Sequence, residues 1–208
     1  MKTTLRYAPV LALALLLAGC EGPCKKIGAL TGPGLVSGTA DFTTYVAGGT
    51  SISAGWQSGG LVNRHQVHSF PALFAMQIGK SVLASGQGTF TLPAIDADGK
   101  PPLLRVLQLK PITIIDTTGA VRGTPINNAQ ATPFHNMAVP YAVLADFLSS
   151  ANYYTTTQAR MEMFSVVARG NTPVVNQVLG LAPTFISFEY GANEVLGAAS
   201  QGGSTPVY

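Results

Sequence analysis

The feature that most limits this fold lies at the start, where Tyr7 to Leu17 is an almost unbroken apolar stretch behind Lys2 and Arg6. A helix needs about 20 apolar residues to cross the hydrocarbon core of a bilayer, so this run is too short to span one. A short apolar segment behind a basic start, closed by the small residues Ala18 and Gly19, reads as an export signal that is cut away. Residues 1–19 are therefore expected to take no part in the fold, and the mature chain to begin at Cys20.

Leu17-Ala18-Gly19-Cys20, directly behind that segment, resembles the lipobox of bacterial lipoproteins. The resemblance implies that Cys20 is the lipidation site: its thiol is diacylated, the signal is cleaved before it, and the new amine is often acylated. Buried acyl chains contribute about 0.8 kcal/mol per methylene, and two or more chains hold a protein stably on a membrane. Glu21 follows, where Asp tends to retain enteric lipoproteins in the inner membrane. That similarity implies an outer-membrane anchor with the protein facing the periplasm.

The chain has 2 cysteines, and lipidation of Cys20 leaves Cys24 without an intramolecular partner. In an oxidising compartment such a thiol pairs between molecules or stays reactive. The short spacing Cys20-Glu-Gly-Pro-Cys24 is similar to that of the small lipoprotein subunit of type IV secretion cores. There the second Cys couples to a partner, which implies an intermolecular disulfide at Cys24.

Charge excludes one class of partner. Cleavage takes Lys2 and Arg6 from the 12 basic residues and leaves the rest nearly balanced by 9 acidic ones. Bulk binding to nucleic acid needs a clustered basic face, and only Lys25-Lys26 sit together, beside the anchor. Charged residues make up only 10% of the chain, while 23 Gly and 14 Pro punctuate it, which suits a turn-rich domain rather than a solvated helical bundle. The same scarcity of charge suits a surface covered by partners, or one of neutral Ser, Thr and Asn.

Residues 20–40 carry Gly22, Pro23, Gly28, Gly32, Pro33, Gly34 and Gly38, a composition expected to form a tether. A globular domain is expected over 41–190. Phe42 to Val46 and Ser51 to Trp56, separated by Ala47-Gly48-Gly49, read as a hairpin, and Thr89 to Leu92 as a strand. Phe74-Met76-Ile78 alternates like a strand, although Ser69 and Pro71 also suit the entry of a helix. Ile112 to Asp116, Thr117-Thr118-Gly119 and Ala120-Val121 read as a second hairpin behind the run Leu103 to Leu109.

Helices are expected near Pro140, with Val143, Leu144, Phe147 and Leu148 on one face, and over 155–169 with Gly170 as a stop. Phe185 to Tyr190 reads as a closing strand, and 191–208 as a flexible tail. The expected fold class is α+β or mainly β: a single compact domain of antiparallel strands with one or two helices after residue 135.

Motifs for chemistry are sparse. Gly79-Lys80-Ser81 resembles the end of a phosphate-binding loop, but the first glycine that the loop needs is Phe74, so no nucleotide is expected. His65 and His68 have metal-ligand side chains, and His135 offers a third nitrogen, but the Glu of the usual zinc hydrolase helix is missing. Asp96, Asp98 and Gly99 open like a calcium loop and lack its later acidic ligands, so a plain turn is expected. Neither Gly-x-Ser-x-Gly nor Ser-x-x-Lys occurs. Paired carboxylates meet only in space, and Asp116, Asp146, Glu162 and Glu189 are the candidates.

No cofactor, metal or catalytic residue is expected on this reading. The leading expectation is a membrane-anchored lipoprotein serving as a structural or adaptor subunit of a secretion, conjugation or pilus-type envelope assembly. A lipid-anchored hydrolase of envelope polymers, or a surface-exposed adhesion or exclusion lipoprotein, are the alternatives.

Overall fold

The computed structural model describes residues 38–115, 121–155, 157–200 and 202–203. Cys20, Cys24 and Asp116 lie outside the described residues. The unit described below begins at Asp41.

Its centre is β1 (Tyr45–Gly49), in which every residue is buried. A strand buried on both faces shows a continuous apolar run rather than alternation. One edge of β1 pairs in parallel with β4 (Phe185–Glu189), from Tyr45 opposite Phe185 to Gly49 opposite Glu189. The other edge bonds the extended segment 135–139. The Ala47 N–H donates to the His135 carbonyl at 2.7 Å, and the N–H groups of Met137 and Val139 donate to Ala47 and Gly49 at 2.8 and 2.9 Å.

The hairpin expected from residues 42 to 56 does not form, because the glycines meant for its turn sit inside β1. A Cβ on Gly49 would lie 2.3 Å from Ser53 Oγ, and one on Gly48 would lie 3.4 Å from the Phe147 ring. Glycine here permits close approach rather than a reversal. The chain turns instead through α1 (Ser51–Ala54), which Gly55 ends with a left-handed φ of 78°. The Glu189 carboxylate accepts bonds from the Thr50 N–H and both the Thr50 and Ser53 hydroxyls at 2.9–3.0 Å, tying β4 to the entry of α1.

Helices also appear before residue 135, where strands were expected apart from the alternative of a helix entered through Ser69 and Pro71. These are α1, α2 (Asn63–Gln66) and α3 (Phe70–Gln77). Four-residue helices are about one turn long and leave no periodicity to read. In α3 the entry through extended Ser69 and early Pro71 prevails over the alternation of Phe74, Met76 and Ile78. Residues Thr89 to Leu92 form no strand.

Four helices follow: α4 (Leu144–Leu148), α5 (Gln158–Val167), α6 (Val174–Gly180) and α7 (Ala192–Ser200). The last occupies sequence expected to be a loose tail. It is held by Asn193 Nδ2, which donates to the Ala142 carbonyl at 2.7 Å, and by the Leu144 N–H, which donates to Glu194 Oε1 at 2.5 Å.

The second sheet is an antiparallel hairpin of β2 (Arg105–Leu109) and β3 (Ile112–Ile115). The expected pairing of 112–116 with 120–121 gives way to this nearer partner across the two-residue turn Lys110-Pro111; residues 116–120 lie outside the described residues.

The class is thus mixed α and β, with seven helices and two two-stranded sheets among the described residues. The all-antiparallel expectation fails at β1 and β4, which are joined by a long connection carrying helices. Such a crossover permits parallel pairing, which a hairpin does not. The larger core packs Val46, Phe134, Met137, Tyr153, Met163, Phe164 and Val167, and a second cluster stacks Tyr45 on Phe90 at 5.2 Å beside Phe74 and Phe185.

Candidate functional site

The acidic candidates serve the fold and lie apart. Asp146, at 1% exposure, is ion-paired with Arg160 and accepts the Val143 N–H at 2.8 Å at the start of α4. Glu162 takes both contacts from Arg122 at 2.6–2.7 Å. Glu189 is committed to Thr50 and Ser53. No described cavity is lined by two of these carboxylates.

The histidines do not converge either. His68 is exposed, with Nδ1 2.8 Å from the Arg64 carbonyl. His135 lies against Thr91, its Nδ1 2.9 Å from the hydroxyl, and packs on Phe90. Among the described residues no three His, Cys, Asp or Glu side chains come together as a metal would need. Lys80 follows the C-terminus of α3, and its ammonium donates to the Thr43 carbonyl at 2.6 Å, so Gly79-Lys80-Ser81 does not open a helix. Asp96 caps its own turn, accepting from the Asp98 and Thr124 N–H groups and the Thr124 hydroxyl at 2.9–3.2 Å.

Of the three histidines, His65 borders a described cavity, with Asp98 on the same lining. It lies on α2, which Gln66 fixes from below: Gln66 Nε2 donates to the Pro93 carbonyl at 2.7 Å, and its Oε1 accepts the Ile95 N–H at 2.9 Å. The preceding residues are pinned by reciprocal bonds between Leu61 and Lys100 at 2.9–3.0 Å. A cleft of about 460 Å³ opens between this helix and the segment that leads into β2. A second cleft of about 610 Å³, mostly apolar, lies between Tyr141, Arg160, Asn193 and Leu196.

The least explained surface is the hairpin itself. All of β2 is exposed, with Val106 at 59%, Leu107 at 63% and Leu109 at 75%, and Ile112 across the turn at 71%. Successive strand residues point to opposite faces, so both faces of the ribbon carry apolar side chains in water. Leu107 is the extra residue of a bulge between the pairs Val106–Ile114 and Gln108–Thr113. An isolated two-stranded ribbon is at best marginally stable. A long exposed apolar edge of this kind also invites pairing with another chain. Two apolar runs flanking Lys110-Pro111 are the sequence signal for this feature.

No family model, curated protein or solved structure matches this chain. No described helix is long and apolar enough to cross a membrane.

Proposed function

We propose that the protein is a bacterial lipoprotein, anchored through Cys20 in the periplasmic leaflet of the outer membrane, that acts as a structural or adaptor subunit of an envelope assembly. The observation that carries this reading is the apolar hairpin β2–β3. Complete burial of a large aliphatic side chain contributes about 1.5–3 kcal/mol. Val106, Leu107, Leu109 and Ile112 keep about two thirds of that burial in reserve and would offer a partner on the order of 4–8 kcal/mol before the entropic cost of association. A monomer gains little from them where they stand. The engagement of Asp146, Glu162 and Glu189 in structural bonds favours this reading over the hydrolase.

The hairpin supplies a docking element, the anchor a location, and Cys24 a covalent link to the partner. The test is a detergent extract of cells run on a non-reducing gel, comparing wild type, Cys24→Ser and the double variant Leu107→Asp/Ile112→Asp. A larger species that reductant or Cys24→Ser abolishes, and that the hairpin variant weakens, is the expected result. A monomer in all lanes, with nothing co-purifying, would remove the adaptor reading.

A further inference from the structure

The arginines divide into two groups. Arg122 is paired with Glu162, Arg160 with Asp146, and the Arg169 guanidinium donates to the Asn128 and Gln130 carbonyls at 3.0 and 2.6 Å. Among the described residues only Arg64 and Arg105 have guanidiniums with no hydrogen-bond or ion-pair partner, and both line the 460 Å³ cleft beside His65. They come from separate parts of the chain, α2 and the first residue of β2, and the fold brings them to one opening.

The rest of the lining fits the same ligand. His65 also lines the opening. Burial, and then the charges of Arg64 and His68, hold the His65 imidazole below its usual pKa. At neutral pH the cleft therefore carries two guanidiniums against the single carboxylate of Asp98, which pairs with neither. Leu103 and Leu104 supply an apolar wall. A cation would meet net repulsion here. Guanidinium groups present forked donors matched to carboxylate and phosphate oxygens, and a cleft of this volume is in the range that takes small molecules.

We infer that this cleft binds an organic oxyanion, its charged oxygens held by Arg64 and Arg105 and its apolar part lying against Leu103 and Leu104. The site is independent of the docking role of the hairpin tip. A free metabolite or a lipid headgroup would present the same chemistry, and the probes separate the two.

The experiment is calorimetric titration of the detergent-solubilised full chain with phenyl phosphate, followed by flotation with vesicles of phosphatidylglycerol or of phosphatidylcholine. Flotation uses a Cys20→Ser chain, so that the anchor does not carry the protein to the membrane. Saturable binding of phenyl phosphate, at least tenfold weaker in Arg64→Gln and in Arg105→Gln, is the result expected for a free ligand. Flotation with phosphatidylglycerol alone, lost in the same two variants, would support the site with a lipid headgroup as its source. Leu109→Asp/Ile112→Asp, which disables the hairpin tip, should leave either signal unchanged. Among the described residues neither guanidinium has a partner in the fold, so the variants should keep the wild-type Trp56 fluorescence. Absence of binding to both probes, or binding that the two arginine variants leave intact, would overturn the assignment.

Discussion

Replacing Tyr153 by Phe removes one oxygen from the interior and leaves the ring in place. The ring is 0% exposed and stacks on Phe164 at a centroid distance of 4.0 Å, so the substitution opens no cavity of consequence. The lost hydroxyl donates to the Asp146 carbonyl at 2.7 Å and accepts the Val174 N–H at 2.9 Å, joining α4 to the start of α6. Asp146 and Val174 are each 1% exposed, so water does not reach the orphaned groups. A buried group left without its bond costs about 1–3 kcal/mol, and two together on the order of 2–6 kcal/mol. For a domain of this size that corresponds to a fall in Tm of roughly 4–24 °C.

Tyr154 is the matched control. Its hydroxyl also makes two bonds, to Gly170 at 3.1 and 3.2 Å, but the side chain is 38% exposed and solvent can replace them. Tyr154→Phe should therefore cost under about 1 kcal/mol. Urea titrations followed by fluorescence of Trp56, the 1 Trp in the chain, which packs edge-on to Tyr141 at 5.1 Å, would measure both. Equal losses for the two variants, or a loss below about 0.5 kcal/mol for Tyr153→Phe, would refute the claim that a buried hydroxyl ties these helices.

Gly49→Ala places a methyl 2.3 Å from Ser53 Oγ and 3.0 Å from the Glu189 carbonyl, and should destabilise by about 1–3 kcal/mol in the same titration. An unchanged midpoint would show that β1 and α1 are less closely set. Burial, partly offset by the Val174 N–H, pushes Tyr153 up to about 12. The folded state then holds a proton that the unfolded chain releases near pH 10, so stability should be full below about pH 10 and fall as pH rises toward about 12. Ultraviolet titration of the phenolate beside denaturation at each pH would show this, and a Tyr153→Phe chain should lose that part of the slope. Mass spectrometry of the mature N-terminus should find acylated Cys20, and Cys20→Ser should shift the protein from the membrane to the soluble fraction. An N-terminus elsewhere, without acyl chains, would refute the anchor.

Only part of this fold could be read in advance. The strand at Phe185–Glu189 and the helices expected near Pro140 and over 155–169 were legible because apolar spacing there matches the period of the element. The helices are Leu144–Leu148 and Gln158–Val167, and Pro140 precedes the first rather than opening it. Tyr45–Gly49 was half legible: its apolar start reads as strand, but Gly48-Gly49 gives the same letters whether it turns or admits Phe147 and Ser53. The helices Ser51–Ala54 and Asn63–Gln66 were hidden by their length, and Ala192–Ser200 by the Gly- and Ser-rich sequence around it. Its stability comes from Asn193 and Glu194 reaching Ala142 and Leu144, contacts that no local pattern announces. Direction of pairing was not legible either, since an edge strand carries the same residues whether its neighbour is parallel or antiparallel.

The candidate sites show the same division. His65 was visible as a residue type, yet its neighbours Arg64 and Arg105 have meaning only once α2 and β2 are set side by side. Asp146, Glu162 and Glu189 looked available because sequence does not reveal that Arg160, Arg122, Thr50 and Ser53 already engage them.

The most direct test of the adaptor role is site-specific photocrosslinking in living cells, with the photoreactive residue at Leu107 or Ile112 of the full-length chain and at exposed Ser165 as the control. A discrete adduct to another envelope protein is expected from the hairpin positions and none from Ser165. Hairpin positions that give no adduct, or the same diffuse products as Ser165, would contradict the adaptor role.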